Sequence, residues 1–183
     1  MRVRVADEVI REAFEGVKDR PGFAESAALV ARGRRPVEML QAMALRPALL
    51  TAFAGISDAV YSGGQVEREV KEIIILEASR RNTCQFCTQS HISMARQLGM
   101  SDQPLSLLDR ADQLPPRQQA ALSYTRVAMA DSNNIPEQVW SELHAVFSDA
   151  EIVEVTAMIG LLNMLNLFNN CLDVRYNGEY EAG

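Results

Sequence analysis

Between Glu67 and Arg80 the chain places Val70, Ile73, Ile74, Ile75 and Leu76 so closely that a helix there has almost no polar face at its centre. Such a helix is stable only when other elements cover it on every side, which puts it inside a bundle. The rest of the chain supplies that cover. Apolar residues recur at three- and four-residue steps along most of its length, and no segment alternates as a half-buried strand does. Val9, Ile10, Ala13 and Phe14 mark a first helix, broken by Pro21-Gly22, and Phe23 to Ala31 a second, closed by Gly33. Pro36 fits the first turn of a third, over Val37 to Leu45, and Pro47 opens a fourth that reaches about Tyr61 before Gly63-Gly64. After the apolar helix, Asn82 or Thr83 is the expected N-cap of a helix from about Cys84 to Leu98, with Gly99 as its left-handed cap. Pro115 or Pro116 and then Pro136 open two more, and Ser148 with Glu151 forms a capping box before the last long helix. The expectation is one all-α domain over residues 1–183, a bundle of about eight helices, since 183 residues suit a single core.

Hydrophobic residues at 48% and charged residues at 23% belong to a globular chain and exclude a disordered one. Net charge is −6, and no basic run is longer than Arg34-Arg35 or Arg80-Arg81, which argues against nucleic acid or an anionic membrane as a partner. The apolar stretch Val155 to Phe168 is shorter than the roughly 20 residues a membrane span needs, and Asn163 and Asn166 interrupt it. It reads as a buried helix. Acidic Asp7 and Glu8 precede any apolar run, so no secretory or transit signal is expected and a cytoplasmic location is. Three cysteines are an odd number for a disulfide-stapled fold, which directs attention to their spacing.

Cys84, Cys87 and His91 stand at i, i+3 and i+7, so a helix places all three on one face. Cys84 falls in the first turn, where free N–H groups and the helix dipole favour a thiolate. Two thiols three residues apart on a helix can close a disulfide and reopen it, so the motif reads as redox-active. Inert packing and a zinc site are the competing readings. Structural zinc wants four ligands, and the residues that could complete a set, His144, Cys171 and Glu72, lack metal-ligand spacing to the pair. His144 reads as a surface histidine and Cys171 as a buried small hydrophobe. Asn163, Asn166 and Asn170 form a polar stripe on an apolar helix; hydrogen bonding across a helix or subunit contact is preferred to lining a site.

Glu72, then Cys84-Gln85-Phe86-Cys87, then His91 and Leu98-Gly99, resembles the alkylhydroperoxidase D and carboxymuconolactone decarboxylase-like family, in its cysteine-bearing, peroxidase-related branch. The likeness covers about residues 36 to 172, with its motif core at 66–99. It implies an alkylhydroperoxidase D-like helical protomer that assembles into a homo-oligomer, a trimer or hexamer. It also implies a thiol-dependent hydroperoxide reductase with no bound cofactor or metal, reset by a dithiol reductant such as a lipoyl or thioredoxin-like protein. In that reading Cys87 is the peroxidatic thiolate, Cys84 resolves its sulfenic acid, His91 draws the proton from Cys87, and Glu72 orients and charges His91. Periodicity alone does not choose between Glu72 and Glu77; the resemblance chooses Glu72. The departure is Phe86, where the founding peroxidase has a second histidine in its proton relay. Two other functions stay open: a redox sensor or structural oligomer without turnover, and a cysteine-independent decarboxylase or lyase.

Overall fold

The apolar helix, α5 (Arg68–Arg81), is the axis of the molecule, and every residue from Val70 to Ser79 on it is buried. The structure, a computed structural model, describes residues 1–178, which hold ten α-helices and no strand. Four precede the axis: α1 (Asp7–Glu15), α2 (Ala24–Ala31), α3 (Glu38–Ala44) and α4 (Pro47–Ser57). Then follow α6 (Gln85–Gln97), α7 (Pro104–Asp109), α8 (Pro116–Ala130), α9 (Glu137–His144) and α10 (Asp149–Cys171), of which α6, α8 and α10 pack directly on α5. The all-α architecture is as expected, with ten helices in place of about eight. The helix without a signal in the sequence is α7, six residues long and too short to display a period, which a 3₁₀ turn, Ala111–Gln113, follows.

Burying α5 buries charge as well, and each charge is met by a partner from another turn or element, as an uncompensated buried ion would not be tolerated. Lys71 Nζ lies 2.9 Å from Glu154 on α10. Glu77 is clamped by Arg80 and Arg81 at 2.7 and 2.8 Å and by Arg126 of α8 at 3.3 Å. Glu154 also accepts the Gln65 N–H at 2.7 Å, an approach open only because residue 64 is glycine at φ +87: a Cβ there would sit 2.2 Å from the Glu154 carboxylate.

The helix expected to run from Pro47 to about Tyr61 changes coil instead. After Ser57 it widens into a π-helical turn, Asp58–Ser62, held by Arg20 on Asp58 at 3.3 Å. π turns are single-turn features that recur at functional sites, and this one carries Tyr61. The turn between α5 and α6 also differs from expectation. Thr83 adopts φ +49, a conformation a β-branched residue rarely takes, so the N-cap passes to Cys84. Asn82 is occupied elsewhere, its amide donating to Asn163 at 2.8 Å and to Asn166 at 3.0 Å, while Asn170 donates to its carbonyl at 2.8 Å. The asparagine stripe of α10 is thus a clasp on the turn that presents the cysteines. Gly99 takes φ +71 as the left-handed cap, and the Ser148/Glu151 capping box opens α10.

Among the described residues, α10 is the one helix long and apolar enough to cross a membrane by length and composition, longer than the stretch that signalled it. Its inward residues, Val155, Met158, Ile159 and Leu162, are buried, whereas Val153, Met164 and Leu167 face outward.

Candidate active site

Two neighbouring turns of α6 and the facing residue of α5 make the core of the site. Cys84 caps α6 and accepts the Cys87 N–H on its sulfur at 3.3 Å, so the first free donors of the helix are spent on a thiolate. The two sulfurs hydrogen-bond to one another, and that bond, helped by the backbone N–H against the cost of burial, lowers the Cys84 thiol to about 7. The same bond, with burial and the charge on Cys84, pushes Cys87 up. With Cys84 near 7 the reduced pair is partly ionised at neutral pH, its charge favoured on Cys84, and it titrates as a unit. The resting charge sits on Cys84, in the position the helix dipole favours.

Only one of the two sulfurs faces open space. A cavity of about 300 Å³ runs into the bundle, with Cys87, His91, Tyr61 and Arg68 in its wall and with Met39, Phe53 and Phe86 among its apolar lining. Cys84 stands behind Cys87, 1% exposed. Phe86, which replaces a histidine of the founding peroxidase, is an apolar wall here and packs edge-on to Tyr176.

Glu72, fully buried, accepts from His91 Nδ1 at 2.7 Å and from Arg68 Nε at 2.8 Å. Burial raises its carboxyl pKa, but the imidazole and the guanidinium outweigh burial and leave it below the usual glutamate range. A carboxylate at this distance holds the imidazole proton on Nδ1, which leaves Nε2 with the lone pair, the form that can take a proton. Glu72, Cys84, Cys87 and His91 are thus brought together in space. Glu77, the periodic rival, is paired instead with Arg80, Arg81 and Arg126.

Three residues beside the motif were not singled out in the sequence. Asn169 donates its amide to Cys87 Sγ at 3.2 Å and lies 3.5 Å from the Met39 sulfur. Its Oδ1 is the buried side-chain oxygen without a partner among the described residues. The signal was present, since Asn169 stands in the same asparagine-rich run, but the three-and-four spacing drew attention to its neighbours. Tyr61 packs edge-on against His91, ring centroids 5.7 Å apart, and its hydroxyl reaches Glu72 Oε1 at 3.4 Å. Arg68 lies over the Tyr61 ring at 3.6 Å and donates to the Tyr61 hydroxyl. Tyr61 belongs to no pattern visible in one helix, whereas Arg68 stands four residues before Glu72 on α5, an i,i+4 charge pairing that could have signalled it.

Two expectations about spare residues are settled. Cys171 is exposed, not buried, because it ends α10 on the outward face. His144 is at the surface, 3.5 Å from Asp149, as expected of a residue with no role in the site. Among the described residues no group of three or more His, Cys, Asp or Glu side chains could hold a metal ion.

The comparisons with known proteins fit this geometry. Residues 47–130 match the family model of the carboxymuconolactone decarboxylase family. YdfG, an uncharacterized protein of Bacillus subtilis (strain 168), is 25% identical over 105 residues, 55% of this chain and 71% of its own. An uncharacterized peroxidase-related protein from Silicibacter sp. TM1040 superposes with a TM-score of 0.75 at 24% identity, over 98% of this chain and 90% of its own. Another from Ralstonia eutropha JMP134, an alkylhydroperoxidase AhpD core, gives 0.72 at 22% identity, over 96% and 88%. At these identities the two structures establish the fold.

Proposed function

Because residues 47–130 match the carboxymuconolactone decarboxylase family, we propose that this chain is a thiol-dependent hydroperoxide reductase cycling Cys84 and Cys87. The observation that carries this reading is the division of the pair: Cys87 opens on an apolar cavity beside a Glu72–His91 couple, and Cys84 lies behind it within bonding reach. The Cys87 proton crosses to Cys84 along the bond between the sulfurs, which puts the thiolate on the cavity side. That thiolate attacks the terminal oxygen of ROOH; the S–O bond forms, the O–O bond breaks, and RO⁻ leaves, taking one proton to become ROH. His91 Nε2 then takes the Cys84 proton, and the Cys84 thiolate attacks the Cys87 sulfenic acid. The disulfide forms, and hydroxide leaves with the proton from His91 as water. An external dithiol, of lipoyl or thioredoxin-like type, reduces the disulfide and restores the pair.

The test is steady-state consumption of cumene hydroperoxide by the reduced protein with dihydrolipoamide or dithiothreitol. Expected is turnover with the disulfide as the oxidised form. Oxidation once per chain without recycling would instead mark a redox sensor, and no oxidation would leave the thiols structural.

Asn169 serves this chemistry by holding charge on Cys87 when the proton has crossed. A hydrogen bond to a charged group contributes about 1.5–3 kcal/mol, or roughly one to two pKa units. Asn169→Ala is therefore expected to shift the alkaline rise of the single-turnover rate upward by about that much. The rate reached at high pH should change little; a uniform loss at every pH would mean that Asn169 only packs.

A further inference from the structure

Reduction of an alkyl hydroperoxide releases two poor leaving groups, RO⁻ from the peroxide and hydroxide from the sulfenic acid, and each must be given a proton. His91 can supply one. Its Nδ1 is held on Glu72, so Nε2 is the only end that exchanges protons with the thiols and the sulfenic acid. Of the two residues between the cysteines, Gln85 is exposed and Phe86, in the cavity wall, has no exchangeable side-chain proton. Ser90, also in the cavity wall, donates its hydroxyl to the Cys87 carbonyl, and an aliphatic hydroxyl is too weak an acid to drive transfer to an alkoxide.

We propose that Tyr61 is a catalytic residue, the general acid that protonates the alkoxide leaving from the hydroperoxide, with Arg68 stabilising the phenolate that results; the proposal rests on the reductase reading above. Tyr61, Arg68, His91 and Cys87 wall the same cavity, and the π-helical turn Asp58–Ser62 sets the phenol ring edge-on against His91, 5.7 Å between centroids. His91 follows Cys87 by one turn of α6, so the phenol packed on His91 shares one cavity wall with the sulfur. A phenol ionises near pH 10, far below the roughly 15.7 of water and the similar value of an alcohol, so the transfer runs downhill. Arg68 already donates to the phenolic oxygen and lies over the ring at 3.6 Å, the arrangement that favours a negative charge on that oxygen. Because Arg68 is the donor in that contact, it does not engage the phenol's own proton. The phenol's contact with Glu72 Oε1 is long, at 3.4 Å, and is displaced at little cost when a better acceptor arrives. The step balances: Cys87–S⁻, ROOH and Tyr61–OH become Cys87–SOH, ROH and Tyr61–O⁻, and the phenolate regains a proton from solvent before the next turnover.

The test separates an acid from a packing residue by the leaving group. A peroxyacid expels a carboxylate, which needs no proton, whereas cumene hydroperoxide expels an alkoxide. Single-turnover oxidation of the reduced wild type and of Tyr61→Phe is followed by stopped flow with cumene hydroperoxide and with 3-chloroperoxybenzoic acid. Tyr61→Phe is expected to slow the first reaction by about 10²-fold or more, in the range general acids contribute, and the second by less than about threefold. Equal losses on both oxidants, or no loss on either, would overturn the assignment. A wild type that the peroxyacid oxidises and cumene hydroperoxide does not would overturn it too. A wild type that reacts with neither oxidant overturns the reductase reading itself, a different result from any the variant can give.

Discussion

Cys87→Ser is expected to abolish hydroperoxide turnover, by at least about 10³-fold, while the helix content and unfolding midpoint stay near those of the wild type. Serine has nearly the shape of cysteine, and a hydroxyl there can still accept from Asn169, which now donates to the sulfur at 3.2 Å. The fold has little reason to change. Cys84→Ser should behave differently, and the contrast is the informative part. Serine is a good N-cap and can still accept the Cys87 N–H, so α6 should start as before. The nucleophile in the cavity wall remains, with His91 in the same wall left to take its proton, but the resolving thiol is gone. One equivalent of hydroperoxide should then leave a lasting sulfenic acid on Cys87, trapped by dimedone and seen by mass spectrometry, with no intramolecular disulfide and no recycling. Because the resting charge sits on Cys84, the reverse pattern has a clear meaning as well. If Cys84→Ser loses the first oxidation and Cys87→Ser keeps it, the thiolate that attacks is Cys84, and the cavity-side assignment is wrong.

Glu72→Gln is the second large effect, expected to lower kcat/KM by about 10²–10⁴-fold, the range of losses when a base or its orienting carboxylate is disabled. The amide keeps the size of the side chain but not its charge, which holds the proton on His91 Nδ1 and favours the imidazolium that forms at Nε2. It also sets an N–H group where Arg68 or His91 now donates. The carboxylate leaves a second trace, in stability against pH. Its pKa in the folded chain lies below the ordinary 4.5, so its contribution is fully present above that value and is lost as pH falls through the lowered folded value. The stability difference between wild type and Glu72→Gln should therefore be constant at neutral pH and shrink in acid below about 4.5, as read from urea midpoints. A difference that ignored pH would mean that Glu72 is not the ionised carboxylate that its contacts with His91 and Arg68 require.

The fold class was legible because it depends on short-range pattern. A helix such as Glu67 to Arg80 with no polar centre cannot exist alone, and the capping box at Ser148 and the left-handed Gly99 are decided within one turn of chain. The boundaries that went astray were those where a distant element intervened. Asn82 could not cap α6 because α10, more than 80 residues on, had claimed its amide. The helix through Tyr61 widened at Asp58, where Arg20 holds the carboxylate.

The same division runs through the site. Cys84, Cys87 and His91 share one helix, and a fixed rise and rotation per residue bring them to one face whatever surrounds them. Tyr61 and Asn169 reach that face from a π turn and from a helix 82 positions beyond Cys87, and the asparagine run around Asn169 does not say which of its members meets the sulfur. Which cysteine carries the charge and which meets the cavity, and why Glu72 serves where Glu77 does not, follow from packing around α5. Local periodicity sets the direction of a side chain from its own helix, while its neighbours, burial and ionisation are set by chain that returns from far away.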